Sequence, residues 1–188
     1  MSPNHPPPNG LPAVIVIGSV FRHDDGVGPH CRPLIEAELR KRSLCAEVIE
    51  LDGEPTRLLE SWANRPLAVV VDAVRTGAPP GTVHVVAVGG SDWLGELAPS
   101  GTTASSHALG ITEAYALGSA LGRLPDRLVL AGVEGLDFTE GVGISQEVCH
   151  ALPTLVERVA DLIGTALGSA RATPKATGTI TIRTTGAA

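Results

Sequence analysis

Asp24 and Asp25 stand side by side in a glycine-bounded stretch, Gly18-Ser19-Val20-Phe21-Arg22-His23-Asp24-Asp25-Gly26-Val27-Gly28. Adjacent carboxylates repel, and solvent, a cation or a shared proton must relieve them. Asp52, within Asp52-Gly53-Glu54, and Asp72 each close a run of strand-forming residues. His107 follows Ser105-Ser106 at the junction of a loop and a helix. Any one of these acids alone is an ordinary helix or turn cap. Taken jointly, Asp25, Asp72 and His107 form an O,O,N donor set with open positions, suited to a divalent transition metal such as nickel or zinc.

Other chemistries fit less well. Gly18, Gly26 and Gly28 lack the dinucleotide-binding spacing, Asp24-Asp25 would repel a pyrophosphate, and no phosphate-loop Lys-Ser/Thr is present. Ser106 and His107 are neighbours at a helix start with no strand–Gly-x-Ser-x-Gly–helix elbow, which argues against a Ser-His-Asp hydrolase. His5, His84 and His150 read as structural or exposed. His23 offsets the acidic pair or supports the site, and His30 has no evident partner. Cys31, Cys45 and Cys149 show neither metal-finger nor redox spacing. They read as small apolar core or helix residues, and their odd number fits a reducing cytoplasm.

The elements that must position these groups follow from hydropathy. Ala13–Ile17, Glu47–Leu51, Leu67–Val71, Val83–Val88 and Leu128–Val133 read as strands, the first, third and last as buried ones. Val27, Cys31, Leu34, Ile35 and Leu39 recur at helical spacing, and Pro29 and Pro33 push the predicted helix start toward Cys31 or Arg32. Pro55–Ala63 reads as a short helix. His107–Leu121 reads as a longer one, with Gly110, Ala114, Leu117, Gly118 and Leu121 on one face. A last helix runs from Ser145 to Ile163, with a stripe of Cys149, Leu152, Leu155, Val156, Val159 and Leu162 and a break or kink expected at Pro153. Alternating strands and helices predict an α/β three-layer sandwich: a mostly parallel twisted sheet of about five strands with helices on both faces. Ligands of such sheets bind beyond the carboxyl ends of the strands, where the candidate residues fall.

The chain has 188 residues, 14 basic and 20 acidic, for a formal charge of −6. That balance excludes a general nucleic-acid binder. Hydrophobic residues make up 43%, enough for a core, but aromatic ones only 3%, so the core must be aliphatic. Residues 1–12 are proline-rich and uncharged. Residues 164–188 are rich in Ala, Thr and Gly and hold three basic residues, Arg171, Lys175 and Arg183, so the intervening 13–163 carries −9. The expected organisation is one domain over 13–163 flanked by two flexible tails, with Thr179–Ile182 alternating like a short strand. No apolar run approaches a membrane span, and the first residues lack the charged-then-apolar signal pattern.

The ordered motifs of 13–163 resemble those of the hydrogenase maturation endopeptidases, which trim the C-terminal extension of nickel–iron hydrogenase large subunits. The opening Gly-Asn, spacer and acidic pair appear as Gly18-Ser19 through Asp24-Asp25-Gly26-Val27-Gly28. The turn after the second strand appears as Leu51-Asp52-Gly53-Glu54, and the strand ending in Asp-Ala as Val71-Asp72-Ala73-Val74, followed by Pro80-Gly81-Thr82. The family's His after the long loop is matched by Ser106-His107 ahead of Leu109-Gly110. The Gly-Val-Glu strand ending is matched by Gly132-Val133-Glu134. Ile144-Ser145-Gln146-Glu147-Val148 approximates the start of the last helix. Three positions depart from the pattern: Ser19 replaces Asn, Val16 an earlier Gly, and Glu54 the second Gly of Asp-Gly-Gly.

The resemblance implies a cytoplasmic, monomeric, aspartic-type endopeptidase acting on the large-subunit precursor after nickel insertion, with no nucleic acid or membrane partner. Asp25, Asp72 and His107 correspond to the family's nickel ligands and catalytic constellation, with Asp24 as a further catalytic candidate. The nickel arrives with the substrate, and zinc is the alternative divalent metal. Two chemistries remain open: Lewis-acid activation by the metal, or positioning by the metal with a carboxylate such as Asp25 or Asp24 as general base. The rival readings are a nickel-sensing chaperone that binds without cutting and, more remotely, a nucleotide-binding oxidoreductase.

Overall fold

The computed structural model describes residues 10–89 and 106–172. Five strands form one sheet in the order β2-β1-β3-β5-β4, where β1 is Ala13–Ile17, β2 Glu47–Leu51, β3 Ala68–Val74, β4 Val83–Ala87 and β5 Leu128–Glu134. All pairings are parallel except that of the edge strand β4 with β5. Among the described residues, four helices cover the sheet: α1 Val27–Lys41, α2 Pro55–Trp62, α3 Ser106–Leu121 and α4 Gln146–Ala172. The expected three-layer α/β sandwich with a mostly parallel five-stranded sheet is the observed one.

Strand alternation sorts the core into two layers. Val14, Val16, Val69, Val71, Val129 and Ala131 face α1 and α4 through Cys31, Ile35, Leu155 and Val159. Ile15, Ile17, Val70, Leu128 and Leu130 face α2 and α3 through Leu58, Trp62, Ile111 and Ala114. Each fully buried aliphatic side chain contributes on the order of 1.5–3 kcal/mol, which is how an aliphatic core offsets the scarcity of aromatics.

Several helix expectations shift. Helix α1 starts at Val27, ahead of Cys31. Pro29 lies in its first turn, where the missing N–H has no intrahelical partner in any case. Pro33 is accommodated inside the helix by the buried stripe Val27, Cys31, Ile35 and Leu39. Likewise α4 runs as one element through Pro153 and on to Ala172, past the Ile163 boundary, because Leu152, Leu155, Val156, Val159 and Ile163 stay seated on the sheet. Cys149 is exposed and Val148 is buried in its place. On α3 the buried face is Gly110, Ile111, Ala114 and Gly118, whereas Leu117 and Leu121 are exposed. Cys31 is buried, and burial pushes its thiol up to about 12. Residues 1–9 and 173–188, including Thr179–Ile182, lie outside the described residues. Among those described, no helix is long and apolar enough to cross a membrane.

The strand order also fixes where a ligand sits. From β1 the chain moves outward to β2, then returns to the other side of β1 for β3. The reversal opens a crevice between the carboxyl ends of β1 and β3, the usual ligand position in such sheets. β3 outlasts β1: their pairing ends at Val16–Val71, while β3 continues beside β5 to Val74–Glu134. Asp72 therefore lies within β3, just where β1 has left it, and not in the loop beyond the strand.

Candidate active site

After β1 the chain turns through Gly18 into a 3-10 turn, His23–Gly26, that packs against β3 and leads into α1. Gly18 has φ +129, and a Cβ there would fall 1.8 Å from the Asp25 carbonyl oxygen, so only glycine fits. This close approach holds Asp25 back against the strand end. Its Oδ2 accepts the Ser19 N–H at 2.9 Å, and the residue is 6% exposed. Because the backbone of Ser19 makes the contact, replacement of the usual Asn leaves it intact. His30 Nδ1 donates to the Gly26 carbonyl at 2.8 Å, which supplies the partner that its sequence position did not reveal.

Asp24 has different partners. It is fully buried, and its carboxylate accepts three backbone N–H groups from the β5–α4 loop: Leu136 at 2.8 Å, Asp137 at 2.9 Å and Ser145 at 2.6 Å. Burial works to raise its pKa, but the N–H groups of Asp137, Ser145 and Leu136 outweigh it and hold the carboxyl below its ordinary value of 3.8. Asp24, a further catalytic candidate in the sequence, has both its oxygens taken by loop amides. Its oxygens are committed to holding a loop, and the acidic pair is divided between two jobs.

Asp72 is 1% exposed, with Oδ1 accepting the Ala73 N–H at 2.8 Å. It shares strand parity with Ala68, Val70 and Val74, so it stands on the α2/α3 face of the sheet. His107 is the second residue of α3. Gly110, one turn further on, would place a Cβ 2.3 Å from the Gly53 carbonyl. This seats the start of α3 on the turn after β2, at the same edge as Asp25 and Asp72. The His107 side chain lies outside the described residues. Among those described, no three His, Cys, Asp or Glu side chains converge as a metal cage. The donor types at the edge, two buried carboxylates with an imidazole-bearing helix start beside them, match those of a divalent-metal site.

In the sequence Glu134 reads only as a strand ending, but the structure gives it a definite role. It is 2% exposed, and its carboxylate accepts the N–H groups of Thr76 and Gly77 and the Thr76 hydroxyl, at 2.8–3.0 Å, fixing the turn after β3. His84 Nε2 lies 3.3 Å from it, outside hydrogen-bonding geometry. An acid closing the otherwise apolar run Leu128–Val133 is the signal that could have found it. Asp52, by contrast, is exposed and paired with Arg57 at 3.0 Å. Glu54 caps α2, accepting the N–H groups of Thr56 and Arg57, which accounts for its replacing a glycine.

The doubly wound α/β architecture is shared with solved maturation endopeptidases. The hydrogenase maturating endopeptidase HybD from E. coli superposes with a TM-score of 0.68 at 21% identity, covering 84% of this chain and 94% of its own. HybD from Thermococcus kodakarensis gives 0.66 at 20% identity, covering 82% and 99%. Hydrogenase expression/formation protein HupD from Rhizobium leguminosarum bv. viciae is 29% identical over 161 residues, 82% of this chain and 75% of HupD. Residues 33–162 match the model of the hydrogenase maturation protease family, HycI. The chain belongs to that family and is an endopeptidase. Asp72 and His107 fall inside the matched span, and Asp25 just ahead of it.

Proposed function

We propose that this enzyme removes the C-terminal extension of a nickel–iron hydrogenase large-subunit precursor after nickel has been inserted, with Asp25, Asp72 and His107 binding the substrate's nickel. The observation that carries this reading is the burial of Asp25 and Asp72 at the β1/β3 switch point, with the start of α3 seated at the same edge, in a chain of this protease family. A divalent ion carried by the substrate offers Lewis acidity and a fixed point from which the scissile bond is placed.

The chain's own residues do the rest. Gly18 and the Ser19 amide hold the Asp25 carboxylate in place, and Asp72 is held from within the sheet. General-base duty falls to these ligand carboxylates and not to Asp24, whose oxygens are engaged by three amides. An unmetallated precursor lacks the fixed point and is spared. The donor set suits zinc as well as nickel. The enzyme acts as a monomer in the cytoplasm.

The test is to incubate the protein with nickel-loaded and nickel-free precursor and to weigh the products by mass spectrometry. The expected result is loss of a C-terminal peptide from the loaded precursor alone. Binding of the loaded cognate precursor without any change in its mass would overturn the protease reading in favour of a chaperone.

A further inference from the structure

The edge strand β4 is the unfinished side of the sheet. Among the described residues no strand pairs with its outer side. The Glu134 N–H donates to the Thr82 carbonyl at 2.8 Å and the Val88 N–H to the Leu128 carbonyl at 2.9 Å, so in this antiparallel register Thr82, His84, Val86 and Val88 face β5. Val83, Val85 and Ala87 therefore turn their N–H and carbonyl groups away from the sheet. Natural edge strands are commonly blunted by charge, proline or a bulge. Val83-His84-Val85-Val86-Ala87 contains no Lys, Arg, Asp, Glu or Pro, and Val85 is 46% exposed. Alongside runs a cavity of about 910 Å³ between β4 and α4, with Val83 and Val85 on one wall and Ala151 and Leu162 on the other.

Chain length, direction and pattern name what covers this edge. Charge does not, since the cavity rim carries both signs, Glu147 and Asp161 with Arg127 and Arg158. The cavity runs from Gly81 and Glu147, at the carboxyl end of β5, to Arg127 and Thr165 at its amino end. Helix α4 passes this second end and stops at Ala172, about 10 Å further on. Residues 173–178 can span roughly 20 Å, enough to turn back and cross from helix to strand. Behind them comes Thr179-Ile180-Thr181-Ile182, β-branched throughout and alternating. Entering beside Ala87 and running toward Val83, it would lie antiparallel to β4, the more stable pairing. Ile180 and Ile182 would then share the face of Val83 and Val85 and fill the cavity, with both threonines on the other face. Its tether gives it an effective concentration on the order of millimolar, ahead of a second copy or a free peptide. Residues 1–9 hold four prolines, which cannot complete a ladder. At Gly89 a Cβ would fall 2.3 Å from the Tyr115 hydroxyl on α3, so the chain leaves β4 on the face opposite the cavity.

We propose that Thr179–Ile182 adds to β4 as a sixth, antiparallel strand and closes the cavity against α4, so that this chain caps the open edge of its own sheet. The inference is independent of the metal chemistry at the carboxyl edge. The test is amide hydrogen exchange of the full chain, read residue by residue by NMR, in wild type, in Ile180→Asp/Ile182→Asp and in Ile180→Val/Ile182→Val. In wild type the amides of Val83, Val85, Ala87, Ile180 and Ile182 should be protected. The aspartate variant should speed exchange at Val83, Val85 and Ala87 by about tenfold or more. Val86, which faces β5, should be unchanged, and the valine variant should keep the wild-type protection. Equal exchange at Val83, Val85 and Ala87 in wild type and the aspartate variant overturns the proposal. So does protection that appears only as concentration rises, alongside a dimer in sedimentation, or only when large-subunit precursor is added, since either outcome gives the edge to another occupant.

Discussion

Along the carboxyl edge of the sheet, Asp24 and Glu134 are buried and held by backbone amides, three N–H groups for the one and two N–H groups with a hydroxyl for the other. At the β2 margin, Glu50 and Asp52 are exposed and held by guanidinium groups, Arg32 at 3.1 Å and Arg57 at 3.0 Å. Both regions are acidic, yet they solve the problem of negative charge by different means. An exposed ion pair is screened by water and contributes little. A buried carboxylate satisfied by amides keeps its full charge and also fixes the loops whose N–H groups it takes. The centre of the edge is thus rigid and anionic by construction, while its margin is merely neutralised.

The comparison is tested most severely at the proposed ligands. Asp25→Ala, Asp72→Ala and His107→Ala should each lower cleavage of the nickel-loaded precursor by about 100-fold or more, with circular dichroism unchanged. Retained cleavage in all three would remove the functional meaning of the central region. Next in size is Asp24→Ala, which leaves three buried N–H groups without an acceptor. A loss of about 2–4 kcal/mol in urea unfolding is expected.

Acid titration sharpens the same point. The folded-state pKa of Asp24 is depressed by its amide partners. Its contribution is therefore complete above the unfolded value of about 3.8 and is lost as pH falls from there through the folded value. Asp24→Asn should remove this part of the acid dependence and leave stability near neutrality lower. The smallest effect belongs to the margin: Arg57→Ala should change stability by less than about 0.5 kcal/mol, and less still in high salt. A large effect there would erase the distinction between the two regions.

Much of this arrangement is visible in residue types alone. The buried strands declare themselves as β-branched runs, and β1 and β2 begin and end where those runs do. Following strands to their ends places Asp25 and Asp72 at one edge, while His107 is read there only from its position at a loop-to-helix junction. The misreadings trace to local rules overruled by packing. Proline penalties postponed α1 and predicted a break in α4, yet both helices are kept continuous by buried stripes. The small-residue face of α3 was drawn too far toward Leu117 and Leu121, because spacing cannot tell which flank of a weakly amphipathic helix meets the sheet. The division of labour between Asp24 and Asp25 was illegible, since it depends on amides more than 110 residues away. Glu134 was hidden for the same reason, its partners being 57 and 58 residues distant.

The thiols give this molecule an internal reporter. Cys45 and Cys149 are open to solvent, whereas Cys31 is sealed between α1 and the sheet and its thiol is raised to about 12. A thiol-specific label should therefore react at two sites at once. The third should react only as fast as α1 lifts from β1, the movement that would also release the loop bearing Asp25. The delay between the two phases is a clock for how often the active edge comes apart.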